Sequence, residues 1–259
     1  MSVVYLYGFV PERAALPDGG LLGVGDAPVE LVALDGFAAA IGRPDPALYA
    51  AAPLEARSTD MAWMAEQGLR HEQVVAWFVD HSTILPSRLL TLFSSDDALR
   101  QAVRERGGIA AELERFAGTR EWDLKVGWDA AVLAEHLGEV SEDIAALDRD
   151  IAAATPGKRF LLQRKRDDLA RTEGRAVARR LATELLEELR ARARDSVILP
   201  PPPDGSPIVL NAALLIPAAV EADALERAAT ARDRLAGLGV TVAFTGPWAP
   251  YRFTERADE

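Results

Sequence analysis

The side chains best equipped for chemistry in this sequence are three histidines and a surplus of carboxylates, with no cysteine among them. His71 and His81 fall on one expected helix but ten residues apart, and His136 is distant from both. A helical metal site wants ligands at i and i+4, so these histidines read as structural. The missing cysteines exclude disulfides, zinc thiolates and thiol nucleophiles. "GLLGVGDAP", residues 20–28, is rich in glycine, but the residues after it do not start a helix. A phosphate cradle needs that helix N-terminus, so the stretch is expected to be a flexible loop. Glu121 and Asp123 share one strand face with Lys125, which reads as ion pairing on a solvated sheet, not as an acid–base pair. There is no G-x-S-x-G and no Cys–His arrangement. No catalytic residue, metal or cofactor is expected.

Two other stretches stand out. "KRFLLQRKR", Lys158 to Arg166, is the one dense basic patch. On a helix it makes a positive face, either solvated and paired with neighbours such as Asp167 and Asp168 or open to an acidic partner. "TGPWAPYRF", Thr245 to Phe253, places Trp248, Tyr251 and Phe253 where chain ends are usually polar and frayed. Such a tail is either docked or a sticky surface. Half-burying three aromatics removes about 250 Å² of apolar surface from water, or about 6 kcal/mol before ordering costs. Docking as a staple between two domains is the favoured reading, with Trp248→Ala expected to cost about 2–4 kcal/mol.

The bulk numbers describe a soluble protein of one large or two modest domains: 259 residues, 49% hydrophobic and 27% charged. A net charge of -11 argues against nucleic acid and anionic membrane as partners. It also discourages self-association, so a monomer is expected. "MSVVYLYGFV" lacks the basic flank and cleavage site of a signal peptide, and the longest apolar run, "ALLIPAAV", is far too short for a membrane span. The expected compartment is the cytoplasm.

The elements that must carry these residues follow from periodicity. Val3–Val10 is apolar on both faces, as a buried central strand is. "VELVALDGFAAAI" reads as a hairpin turning at Asp35-Gly36, and "GRPDPALYAAAPLEA" as a connector. A helix starts after Ser58-Thr59-Asp60 and runs to about His81, with Met64, His71, Val75 and Phe78 on one stripe. "TILPSRLLTLF" is a strand candidate, and "SSDD" opens a helix that Gly107-Gly108 breaks or bends. A second unit starts near Arg120. In "EWDLKVGWD", Trp122, Leu124, Val126 and Trp128 share the buried face. Helical sequence from Ala130 to about Arg194 is interrupted near Thr155–Gly157. "SVILP", a turn at "PPPDG", "SPIVLNAALLIP", a helix over Ala218–Leu238 and "VTVAFTG" complete it.

The fold expectation is α+β with two domains. Residues 1–118 form a modified ferredoxin-like sandwich. Residues 119–259 form a ferredoxin-like βαββαβ domain with a long helical insertion, its aromatic tail docking back. In that order "VTVAFT", Val240, Thr241, Val242, Ala243, Phe244 and Thr245, is an edge strand, as is the proline-blunted "SVILP". An unpaired edge can accept a partner's strand, so Val240–Thr245 is the candidate partner-binding site.

"YLYGFV", "HEQVVAWF", "ILPSRLLTLF", "EWDLKV" and "TGPWAPYRF", spread from residue 5 to residue 253, together resemble the gas vesicle protein F/L family (GvpF and GvpL). Where family members often carry an aromatic and a glycine after the arginine, this chain has Leu89 and Leu90. The resemblance implies two α+β domains, the second ferredoxin-like. It also implies a non-enzymatic accessory or minor structural role in building gas vesicles, the buoyant gas-filled protein shells inside cells. The implied partners are the hydrophobic main shell protein and other gas vesicle accessory proteins. It brings no catalytic residues. The competing reading is a small-molecule-binding regulatory or catalytic ferredoxin-like protein, because such domains host many activities.

Overall fold

A computed structural model of the chain describes residues 2–200, 203 and 205–254. It forms two compact units. Residues up to Arg120, joined by those from Pro247 on, make the first; Glu121–Gly246 make the second.

The first unit is built on β1 (Val4–Pro11), β2 (Val29–Ala33) and β3 (Phe37–Gly42). β1 is buried on both faces and sits inside the sheet, antiparallel to β3, with β2 outside β3. Asp35-Gly36 makes the two-residue turn of the β2–β3 hairpin, closed by Leu34 N–H to Phe37 O at 2.8 Å. The expected connector instead holds two short helices, α1 (Pro46–Tyr49) and α2 (Ala51–Arg57). Asp45 caps the first by accepting from Ala47 N–H, and proline at N1 has no N–H to waste. α3 (Met61–His81) is capped by Asp60, which accepts from the N–H groups of Ala62 and Trp63. Its buried stripe is Gln67, His71, Val74, Val75, Phe78 and Val79.

"TILPSRLLTLF" is not one strand. It splits into β4 (Leu85–Pro86) and β5 (Leu92–Phe93), both antiparallel to β1. The segment between them turns through Leu90 at φ 62, the left-handed region that glycine adopts freely and leucine does not. α4 (Asp96–Arg106) and α5 (Ile109–Phe116) follow, separated by Gly107-Gly108.

In the second unit, β6 (Thr119–Trp128) leads into α6 (Ala130–His136), α7 (Glu142–Ala153) and α8 (Pro156–Arg190). The helical stretch is thus interrupted twice, at 137–141 as well as before Pro156. Then come β7 (Asp195–Ile198), β8 (Ile208–Pro217), α9 (Glu221–Ala236) and β9 (Val240–Trp248). Of the expected turn "PPPDG", Pro201, Pro202 and Asp204 lie outside the described residues. The sheet order is β7-β8-β6-β9. Trp122, Leu124 and Val126 of β6 join Leu181 and Leu185 of α8 and Leu214 and Ile216 of β8 in one core. Glu121 is not on a solvated face: it is 3% exposed. β9 closes on it so tightly that a Cβ at Gly246 would sit 2.9 Å from the Glu121 carbonyl. The chain then returns to the first unit and ends its described part in α10 (Tyr251–Thr254).

Leu90 gives a direct test of the split strand. Leu90→Ala loses its packing and keeps the left-handed strain, whereas Leu90→Gly loses the same packing and sheds the strain. The glycine variant is expected to be more stable than the alanine variant by about 1 kcal/mol in urea unfolding. An alanine variant equal to or above it would contradict the left-handed turn.

Candidate functional site

Within the first unit, the polar groups most deeply buried belong to one network. Tyr5 and Tyr7 project from the same face of β1 and lie 4.8 Å apart, ring centre to ring centre. The Tyr5 hydroxyl lies 2.8 Å from His71 Nδ1 and accepts the Leu90 N–H at 3.1 Å. The Tyr7 hydroxyl accepts the Val24 N–H at 2.8 Å. A Cβ on Gly23 would fall 2.0 Å from that hydroxyl, so only glycine fits there. The loop expected to be flexible is therefore pinned, with Val24 fully buried. Tyr49 donates to Gln67 Oε1 at 2.7 Å. Burial holds the His71 pKa down to about 4 against an opposing hydrogen bond to the Ser87 backbone, so the ring is neutral. Burial likewise pushes the Tyr5 phenol up, and Tyr7 up to about 12. Among the described residues no buried side-chain nitrogen or oxygen is left without a partner. This network is packing, satisfied and closed. Sequence reading reached only its histidine; two tyrosines at alternate positions of a doubly buried strand were the available signal, since each hydroxyl must find a partner.

The other histidines stand apart from it. His81 stacks on Trp77 at 3.7 Å, and His136 Nδ1 lies 2.8 Å from Glu139 Oε1. Among the described residues no three His, Asp or Glu side chains gather as a metal site, and no helix is long and apolar enough to cross a membrane.

The tail aromatics are placed unequally. Phe253 is fully buried, Ala249 belongs to the core of the first unit with Tyr251 half-buried against it, and α10 lies against β4. The Tyr251 hydroxyl donates to Glu72 Oε1 at 2.8 Å and sits 3.4 Å from His71 Nε2. Trp248 remains 45% exposed. A cleft of about 500 Å³ in this unit has Leu6, Phe9, Leu85 and Phe93 on its wall and Arg88 and Arg106 among its polar lining. The buried titratable groups, Tyr5, Tyr7 and His71, are in the packed network and not on that wall.

Val240–Thr245 lies in β9, an outer strand of the second unit's sheet. Val240 is buried and Val242 and Phe244 half-buried, while Thr241, Ala243 and Thr245 are exposed. Phe244 stacks on Trp122 at 5.0 Å, and the Trp122 indole donates to Glu221 at 2.9 Å. The inner face of β9 is thus fixed by packing, and its outer face alternates with small side chains that leave the backbone approachable. Lys158–Arg166 lies in the first turns of α8, where Arg166 bonds Asp148 at 2.7 Å.

Residues 3–255 match the profile of the family described as "Gas vesicle synthesis protein GvpL/GvpF". The chain is 30% identical to gas vesicle protein L of a Streptomyces sp., over 98% of this chain and 94% of that one. It is 29% identical to gas vesicle protein L2 of Halobacterium salinarum, over 96% and 90%. The crystal structure of GvpF from an Anabaena sp. superposes with a TM-score of 0.67 at 20% identity, covering 98% of this chain and 96% of that one. GvpF from Microcystis aeruginosa gives 0.66, also at 20% identity, covering 98% and 99%. At that identity the likeness speaks for the fold: mixed helices and strands, with two sheets.

Two stability measurements follow from the site. Phe253→Ala is expected to cost about 3–5 kcal/mol, and Trp248→Ala, already half in water, only about 1 kcal/mol. Equal losses in urea unfolding would contradict this placement. A His71 pKa of about 4 in the folded protein, below the usual 6.5, means the unfolded chain takes up a proton first as pH falls. Stability is then lost between pH 6.5 and 4, by about 3 kcal/mol in all. His71→Gln, which cannot titrate, is expected to flatten that part of the stability–pH curve.

Proposed function

The chain belongs to the GvpL/GvpF family of gas vesicle synthesis proteins, and from that premise we propose that it is a non-enzymatic assembly factor or minor component of gas vesicles, working at the vesicle inside the cell. Its proposed partners are the hydrophobic main shell protein and other gas vesicle proteins. The observation that carries the contact is β9, an outer strand with one face anchored and the other exposed at Thr241, Ala243 and Thr245. A shell subunit that polymerises has apolar segments to protect before it is added. Strand addition satisfies their backbone groups without demanding particular side chains.

Two finer readings belong with this one. The order β7-β8-β6-β9, with helices between the first and second and between the third and fourth strands, supports a ferredoxin-like assignment for the second unit. The chain crosses between units twice, at 120–121 and 246–247. The burial of Phe253 and the Tyr251–Glu72 bond support docking of the tail within the first unit, as the staple reading asks.

Prolines placed singly across Thr241–Thr245 test the docking edge. Backbone N–H groups alternate in direction along a strand, so alternate positions bear the outward ones. Proline at an outward position is expected to leave the melting curve within a few degrees of the parent and to reduce capture of purified shell protein roughly tenfold or more. Undiminished capture by every well-folded variant would remove β9 as the docking edge.

A further inference from the structure

α8 has two halves. Its fully buried residues start at Ala170 and run to Leu189, while none lies between Pro156 and Leu169. At 1.5 Å per residue that first part is about 20 Å of helix. Its half-buried positions are Leu162, Arg166 and Leu169, spaced as one face, and α7 packs along α8. Elsewhere on these turns Phe160 is 69% exposed and Leu161 66% exposed. No other two neighbouring large apolar side chains of the described residues are so bare.

Charge distinguishes these turns further. Five cations against two acids leave residues 158–168 at +3, in a chain of net charge -11. The acids are already engaged: Asp168 pairs with Arg171, and Asp167 accepts from Gln163. Arg166 is taken by Asp148, and Arg159 donates to the Ala154 carbonyl. Lys158, Arg164 and Lys165 have no ion pair among the described residues. Arg164 lies one helical turn from Phe160, and Lys165 one turn from Leu161, so each apolar side chain has a cation as its i+4 neighbour.

We propose that this part of α8 is a second docking surface, taking an acidic amphipathic helix of a different protein. Phe160 and Leu161 supply the apolar anchors, and Lys158, Arg164 and Lys165 supply the complement to acidic side chains flanking the partner's apolar stripe. Phe160 and Leu161 are successive on α8, about 100° apart around its axis and turned away from the Leu162–Arg166–Leu169 face, so a partner helix laid across this outer side of α8 covers both together with Arg164 and Lys165. Two apolar side chains are too few to hold a lipid surface, and a net charge of -11 opposes an anionic one. The same net charge sets copies of the chain against one another. The surface is separate from β9 and stands whether or not the shell protein docks there.

The test uses the full chain and a fluorescent helical peptide of about 20 residues, with a leucine stripe flanked by glutamates. Its counterpart has lysines in place of the glutamates. Saturable binding of the acidic peptide is expected, weakened roughly tenfold between about 50 and about 300 mM salt. The double variants Phe160→Ser with Leu161→Ser, and Arg164→Glu with Lys165→Glu, are expected to melt like the parent and each to lose binding at least about tenfold. Proline variants in β9 are expected to bind the peptide normally. The proposal is overturned by absent or non-saturable binding, by equal binding of the lysine peptide, or by unchanged binding in both double variants. It is equally overturned if phosphatidylglycerol vesicles bind this surface in preference to the peptide, or if sedimentation shows self-association that the same variants abolish.

Discussion

An imidazole sealed inside a protein has to stay neutral and still satisfy both its nitrogens, and His71 meets that demand with groups drawn from widely separated parts of the chain. Tyr5 comes from the first strand, the Ser87 backbone from the turn after β4, and Tyr251 from the last described turn. The Tyr5 hydroxyl that meets the ring also accepts from Leu90, holding the left-handed residue that divides β4 from β5. One buried ring therefore ties together the centre of the sheet, the shape of its short outer strands and the seat of α10. Removing the Tyr5 hydroxyl leaves both His71 Nδ1 and the Leu90 N–H without that partner, and a buried polar group left unpaired costs more than the bond itself contributes.

The second unit is organised by a different requirement. β6 and β8 occupy the inner positions of its sheet and carry nearly all of its buried strand residues, under the leucine-rich half of α8. What is left for the margin is a short β7 and a β9 that alternates. Small or hydroxyl side chains at Thr241, Ala243 and Thr245 keep the outer strand soluble without blocking its backbone. The same helix that roofs the sheet continues past it as a charged segment with two bare apolar side chains, so one element serves the core with one end and the surroundings with the other.

Much of this was legible locally. The Asp35-Gly36 hairpin, the cap at Asp60, the helix opened by "SSDD" and the alternation of Trp122, Leu124 and Val126 depend on neighbours in sequence, and they stand where the pattern put them. The edge position of Val240–Thr245 followed from strand order alone. What escaped depends on distant partners. The bond of His71 to Tyr5 spans 66 residues, and its approach to Tyr251 spans 180. No window of sequence contains both ends. Glu121 shows the same limit: its parity is that of the polar face, yet it is buried, and its backbone carbonyl is closely approached by Gly246, far along the chain. Leu90 was visible as a departure from the pattern of the resembled family, and its backbone lies in the left-handed region that glycine adopts freely.

The return of the chain to its first unit sets an order on protein synthesis. By the time Arg120 has left the ribosome, every strand of that unit's sheet has been made, but Ala249, Tyr251 and Phe253, which complete its core, have not. The intervening unit is continuous in sequence and needs no residue beyond Gly246 to complete it, whereas the first unit needs the tail. A message cut short before Phe253 yields a polypeptide whose first half keeps an open apolar seat, a mark for chaperones and proteases.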